Sequence, residues 1–261
     1  MKKFLVIGNP IKHSLSPKIH NFWIQSKKIK AIYEKKLLQQ KDLPMIVEEL
    51  KNEKISGVNV TVPFKRTIIP FLDELSISAS RVQSVNTLYK KNNKIIGDNT
   101  DIGGFENALL HINYKVAGKK VLILGAGGVV TSLIYSLFNS NARQITITNR
   151  TKTNSEAIKK IFTNIQIIEW GKTNEFDIII NATSLGLNSQ DKIDLDYKKY
   201  NNKLFYDIIY NPPETYFLKK AKETGNQTEN GKLMFIYQAK LAFELWHKQK
   251  VEIDKKVINL F

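Results

Sequence analysis

The sequence predicts an α/β protein of two domains, the second built on a doubly wound parallel sheet. Three observations lead there. Short apolar runs alternate with amphipathic stretches along nearly all 261 residues, the rhythm of strands and helices stacked in layers. VLIL, DIIIN and LFYDII are apolar without alternation, as strands covered on both faces are. In VLILGAGGVV the glycines stand directly between one such strand and a helical stretch, where the backbone must turn tightly.

FLVIG (4–8) reads as a buried strand, KIHNFWIQSK (18–27) as a helix, AIYEKKLL (31–38) as a strand and LPMIVEELKN (43–52) as a helix. SGVNVTVP alternates Val58, Val60 and Val62 with Asn59 and Thr61, the period-two pattern of a half-buried strand. Pro63 ends its ladder, and Phe64, Lys65 and Arg66 follow at once. A helix-like segment is expected around 67–75, and SVNTLYKKNNKIIGDNTD reads as two strands about the polar turn KKNNK. A second unit opens near GGFENALLHI (103–112), a helix. It continues through VLIL, QITITNR, EAIKKIF, IQIIEW, FDIIINATS and KLFYDIIY as strand, glycine turn, helix, strand, helix and further strands. GKLMFIYQAKLAFELWHKQ closes the pattern as a long amphipathic helix.

Composition excludes several classes of function. There is no cysteine, hence no disulfide framework, thiol nucleophile or cysteine-metal site, which suits a reducing cytoplasm. His13 and His20 lack metal-ligand spacing, so no metal is expected. The apolar run in MKKFLVIGNP is too short for a secretory leader, and no run approaches a membrane span. A cytoplasmic protein without a membrane role is therefore expected. The net charge of +16 comes from lysines scattered through nearly every segment, which does not resemble the basic face of a nucleic-acid binder. We read it as a field that favours anionic ligands. Monomer and homodimer are equally compatible with the sequence.

Gly125, Ala126, Gly127 and Gly128 occupy the strand–helix turn, with Val129 and Val130 after them. In a dinucleotide-binding unit the first glycine makes the turn and the second lets backbone N–H groups reach the pyrophosphate at the helix N-terminus. Val130 departs from the small third residue of that fingerprint. The next strand ends in Asn149, Arg150 and Thr151. An NAD site commonly carries Asp or Glu there, whereas a guanidinium can bind a 2′-phosphate. Arg150 therefore points to NADP, against the alternative of an ordinary basic turn.

Ser14 and Ser16 precede a helix whose first turn holds Pro17. Two hydroxyls there suit a small carboxylate, although Ser16 also reads as a plain N-cap with proline at the first helical position. Asp101 is open to the same double reading, as a helix cap or as the partner of Lys65. Reduction of a ketone by a nicotinamide leaves a developing alkoxide, which needs a cation and a proton within hydrogen-bond reach. A lysine held by an aspartate supplies both.

SLSPKIHN, NVTVPFK, SVNT, DNTDIGGF, GAGGVV, NRT, NATSLGL, YDIIYNPPET and GKLMFIYQA, in this order from residue 8 to about 246, resemble the successive motifs of the shikimate dehydrogenase family. The resemblance implies NADPH-dependent reduction of 3-dehydroshikimate to shikimate, within aromatic amino-acid biosynthesis. It implies that Ser14 and Ser16 hold the substrate carboxylate. Asn59, Thr61, Lys65, Asn86, Asp101 and Gln238 would meet its hydroxyls and reacting oxygen, with Tyr210 nearby. Lys65 would be the acid/base group, oriented by Asp101. Gly125 to Val129 would cradle the pyrophosphate and Asn149, Arg150 and Thr151 the 2′-phosphate end. Thr183, Ser184, Leu185, Gly231 and Met234 would line the nicotinamide. It further implies a discontinuous substrate domain, 1–102 plus 234–261, and a Rossmann-type NADP domain, 103–233, with a cleft between them. Two alternatives stand beside this reading: a quinate/shikimate dehydrogenase of broader specificity, and a non-catalytic NADP-binding sensor.

Overall fold

A computed structural model describes residues 1–172 and 174–261. The chain divides into two compact units, Met1–Gly104 with Ile236–Phe261, and Phe105–Phe235.

The first unit runs β1 (Lys2–Gly8), α1 (Ser16–Ser26), β2 (Ala31–Leu37), α2 (Leu43–Lys51), β3 (Gly57–Val60), β4 (Glu74–Leu75), α3 (Ile77–Val82), β5 (Thr87–Lys91) and β6 (Lys94–Asp98). Its described strands form one six-stranded sheet in the order β2-β1-β3-β5-β6-β4. β1 pairs parallel with β2 and β3, while β3–β5 and β5–β6 are antiparallel. The β5–β6 hairpin turns on Asn92 and Asn93, both at positive φ, the conformation that matches the twist of two-residue hairpins.

β3 sits in mid-sheet, so its alternation divides residues between two covered faces. Val58 and Val60 join a core with Leu5, Ile7, Leu88 and Ile95 under the apolar stripe Leu43, Ile46, Val47 and Leu50 of α2. Gly57 and Asn59 face the other side, where a Cβ on Gly57 would stand 2.6 Å from the Trp246 indole nitrogen. The expected half-buried strand is therefore a fully buried one. It also ends at Val60, leaving Val62 64% exposed in the following turn. The helix expected around 67–75 is a single 3₁₀ turn, Ile69–Phe71, followed by β4. Pro70, lacking an N–H and crowding the turn before it, cannot continue an α-helix there.

The chain leaves the first unit within α4 (Asp101–His111). The second unit then runs β7 (Lys120–Leu124), α5 (Val130–Asn139), β8 (Gln144–Thr148), α6 (Lys152–Ile161), β9 (Gln166–Ile167), β10 (Ile178–Asn181), β11 (Leu204–Asp207), α7 (Tyr216–Glu223) and β12 (Gln227–Glu229). Its sheet is parallel throughout, in the order β12-β11-β10-β7-β8-β9. The chain winds outward from β7 to one edge and from β10 to the other, as the continuously apolar strands predict. The strand expected at 165–170 shrinks to the two-residue edge strand β9. α3 and α7, absent from the sequence reading, start at Ser76 and Thr215, whose hydroxyls accept from the N–H of Ala79 and Leu218. α8 (Lys232–His247) carries the chain back to the first unit, which α9 (Lys255–Ile258) closes.

Candidate active site

In the first unit Lys65, Asp101, Asn86 and Asn59 meet in a connected set of hydrogen bonds. Lys65 lies in the turn after β3 and places Nζ 2.5 Å from Asp101 Oδ2, with 14% and 8% of the two side chains exposed. Asp101 is not the cap of α4. Asn99 takes that role, its Oδ1 accepting from the N–H of Asp101 at 3.1 Å and of Ile102 at 3.4 Å. The Asp101 carboxylate is thereby left to Lys65 and to Asn86, which donates from Nδ2 to Oδ1 at 2.9 Å. Thr100 fixes Asn86 in turn, donating its N–H to Oδ1 at 2.8 Å.

Asn59 is 6% exposed. It donates from Nδ2 to the Asn86 carbonyl at 3.1 Å and to Thr87 Oγ1 at 3.0 Å, and accepts from the Tyr33 hydroxyl at 2.7 Å. Both its amide hydrogens are committed to protein. Thr61, half-buried, follows β3 directly, and Gln238 is half-buried on α8. At the start of α1, Leu15 rather than Ser16 occupies the cap position, with Pro17 inside the first turn. Ser14 Oγ accepts from the Ser16 N–H at 3.4 Å and donates to Ser16 Oγ at 3.3 Å. Ser16 also interacts with the Tyr33 phenol, whose pKa burial pushes well above its usual value.

His13 is exposed, while His20 is buried flat against Tyr33, ring centroids 4.2 Å apart. Burial lowers the His20 pKa to about 3, with His247 acting in the same direction. Neither histidine joins a metal-ligating group among the described residues.

In the second unit the glycine turn stands at the switch point of the sheet, beside the turn that follows β10. Gly125 has φ +117°, and a Cβ on it would lie 2.7 Å from the Ala182 carbonyl oxygen. A Cβ on Gly127 would meet nothing within 4 Å, so this strand end is open, and no side chain caps α5. Val130 is fully buried at the first position of α5. Asn149 donates to the Thr151 carbonyl at 2.8 Å, and Arg150 is exposed. An open glycine turn, an uncapped helix start and an exposed guanidinium fit a phosphorylated dinucleotide.

The turn 183–185 is held from beneath. Asn181 Oδ1 accepts from the Thr183 N–H at 3.0 Å and its hydroxyl at 2.7 Å, and Nδ2 donates to the Leu185 carbonyl at 3.0 Å and to Asp207 at 3.0 Å. Asp207 also accepts from the Ile209 N–H at 3.0 Å and the Thr215 hydroxyl at 2.6 Å. Burial raises its pKa to about 6, against those hydrogen bonds. Ser184 is exposed within the turn. Gly231 packs so closely that a Cβ would sit 2.0 Å from the Ile208 carbonyl oxygen, and Met234 is 6% exposed. Tyr210 falls in the second unit, stacked on Phe235 at 4.6 Å.

Residues 6–88 match the family model described as the shikimate dehydrogenase substrate binding domain, and residues 107–212 match the model for shikimate / quinate 5-dehydrogenase. The chain belongs to the shikimate dehydrogenase family. It is 56% identical over 99% of its length to the shikimate dehydrogenase (NADP(+)) of Pelagibacter ubique strain HTCC1062, covering 98% of that protein. Among solved family structures, the shikimate dehydrogenase of Aquifex aeolicus superposes with a TM-score of 0.89 at 34% identity, covering 99% of this chain and 96% of that one. The Thermus thermophilus shikimate 5-dehydrogenase, solved with NADP(H) and shikimate, superposes at 0.88 with 30% identity, covering 99% and 97%. Among the described residues, no helix of this family member is long and apolar enough to cross a membrane.

Sequence reasoning did not find Tyr33, Thr87, Asn99, Asn181 or Asp207. The last two carried a usable signal. IIIN and LFYD each end an apolar strand in one polar residue, and such a residue must find partners at the end of a buried sheet.

Proposed function

We propose that the chain is an NADP-dependent shikimate dehydrogenase, catalysing the reversible reduction of 3-dehydroshikimate to shikimate in the cytoplasm. The observation that carries this is the Lys65–Asp101 ion pair at 2.5 Å, largely removed from solvent and tied through Asn86 to the rest of the polar set. Residues 1–102 plus 234–261 are the substrate-binding domain in this reading, and 103–233 the NADP-binding domain. NADPH, when bound, supplies a hydride to the substrate carbonyl carbon. Lys65 Nζ gives a proton to the carbonyl oxygen as it becomes a hydroxyl, and takes one in the reverse direction. Asp101 holds the ammonium in place. Ser14 and Ser16 bind the carboxylate, and Asn59, Thr61, Asn86 and Gln238 the ring hydroxyls, with Tyr210 beside them. Gly125 to Val129 take the pyrophosphate, and Asn149, Arg150 and Thr151 the 2′-phosphate. Thr183, Ser184, Leu185, Gly231 and Met234 border the nicotinamide.

The second family model also names quinate, which keeps broader specificity as the one competing reading. Nicotinamide absorbance with shikimate or quinate, each with NADP⁺ or NAD⁺, separates the two. Fast reduction of NADP⁺ with shikimate alone is expected. Comparable rates with quinate or NAD⁺ would move the chain to the broader class. NADPH binding without turnover in any mixture would leave a cofactor-binding protein that is not an enzyme.

A further inference from the structure

The amide of Asn59 can be oriented from the fixed donors and acceptors around it. The Asn86 backbone carbonyl only accepts, so the amide group facing it at 3.1 Å must be Asn59 Nδ2. Asn59 Oδ1 therefore faces Tyr33, and the Tyr33 hydroxyl donates to it at 2.7 Å. The second Nδ2 hydrogen goes to Thr87 Oγ1. This frees the Thr87 proton to reach Asn86 Oδ1 at 3.0 Å. The identity of that Oδ1 is itself fixed by the Thr100 N–H, so Asn86 Nδ2 must point to Asp101. The bonds then connect Tyr33 through Asn59, Thr87 and Asn86 to Asp101, where Lys65 donates from the other side, and the Thr100 hydroxyl joins them beside Asn86 and Thr87. Asn59, Asn86 and Thr87 are 6%, 3% and 0% exposed, and Tyr33 2%.

Amide groups donate and accept but do not hand on protons at neutral pH, so this array is no relay. Both amide orientations are fixed, Asn59 by a backbone carbonyl and Asn86 by a backbone N–H, which is how a buried network holds a side chain's position. We propose that Tyr33 and Thr87 are positioning residues. Through Asn59 and Asn86 they set the place of Asp101 and hence of Lys65. This rests on the shikimate dehydrogenase reading above.

Thr87→Val is nearly isosteric and removes the hydroxyl's bonds to Asn59, Asn86 and Thr100, Thr87→Ser keeps the hydroxyl, and Tyr33→Phe removes one oxygen while keeping the ring on His20. Steady-state oxidation of shikimate by NADP⁺ compares them. Thr87→Val and Tyr33→Phe should lower kcat/KM for shikimate by about tenfold or more and raise its KM, since small misplacements of catalytic groups are costly. The KM for NADP⁺ should stay within about twofold, and Thr87→Ser should return to within about threefold of the parent. Should Thr87→Val not fold, Tyr33→Phe carries the same comparison. Variants within about twofold of the parent on all constants would overturn the proposal. So would losses confined to kcat that Thr87→Ser shares, because a smaller folded fraction behaves that way. A parent protein that turns over no shikimate overturns the functional reading and this inference with it, whereas an active parent with unaffected variants overturns this inference alone.

Discussion

Lys65 and Asp101 are the pair whose separation has the clearest consequence, because each is the other's counter-charge with 14% and 8% of its side chain in solvent. Lys65→Ala removes the proton donor and should lower kcat by at least about a hundredfold, with a modest change in shikimate KM. A variant with near-normal kcat would refute the assignment. Arg150 is the opposite case. It is exposed, so Arg150→Ala disturbs no packing, and it should raise the KM for NADPH by more than about tenfold through loss of a charge-assisted phosphate contact. An unchanged KM would return Arg150 to an ordinary basic turn. The reasons these residues were legible differ from the reasons others were not. Lys65 stands beside a proline that ends a strand, and Arg150 at a fixed distance from a glycine turn, and both are local patterns. Tyr33 meets Asn59 across 26 positions and Asn59 meets Thr87 across 28. Such partnerships exist only once β2, β3 and β5 have been laid side by side.

At the scale of elements, the second unit's strand ends depend on one carboxylate. Asp207 at the end of β11 accepts from the Thr215 hydroxyl, the Ile209 N–H and Asn181. It thereby ties the cap of α7 to the turn after β10. Asp207→Leu leaves these three donors without an acceptor, each worth about 1–3 kcal/mol when buried, so a loss of at least about 3 kcal/mol is expected. Asp207→Asn keeps an oxygen for Ile209 and Asn181 and an amide for Thr215, and should lose less than about 1.5 kcal/mol. Urea midpoints give both numbers, and equal losses would reduce Asp207 to a space-filler. Elements of this unit were readable because parallel strands buried on both faces are uniformly apolar, as Ile178–Asn181 and Leu204–Asp207 are. The segment at 67–75 misled because its apolar spacing suits a helix while Pro70 forbids one, and a single backbone restriction outweighs weak periodicity.

Across the whole molecule, acid acts on two buried groups, His20 in the first unit and Asp207 in the second, in opposite directions. In the first, His20 is buried neutral between Tyr33 and Trp23, with neither ring nitrogen bonded to a partner among the described residues. Its pKa falls from 6.5 to about 3 by burial, with His247 adding to the shift. Between those values the unfolded chain binds more protons than the folded one. Stability is therefore full above pH 6.5 and is lost as pH falls toward 3, at up to about 1.4 kcal/mol per pH unit. His247 adds to this loss in the same direction, its pKa lowered to about 4 by burial and by Lys2. In the second unit Asp207 is raised from 3.8 to about 6, mainly by burial. There the folded state binds the extra proton, so stability is gained as pH falls from 6 to 3.8. Tryptophan fluorescence favours the first unit, which holds Trp23 at 2% exposure and Trp246, whereas the second holds Trp170 at 37%. Urea midpoints followed by that signal should fall steadily from pH 6.5 to 4.5. His20→Phe, which keeps a ring on Tyr33 and cannot take a proton, should flatten the slope by about 1 kcal/mol per pH unit. A slope unchanged in His20→Phe would show that His20 does not set the acid limit of this unit, and would pass that role to His247.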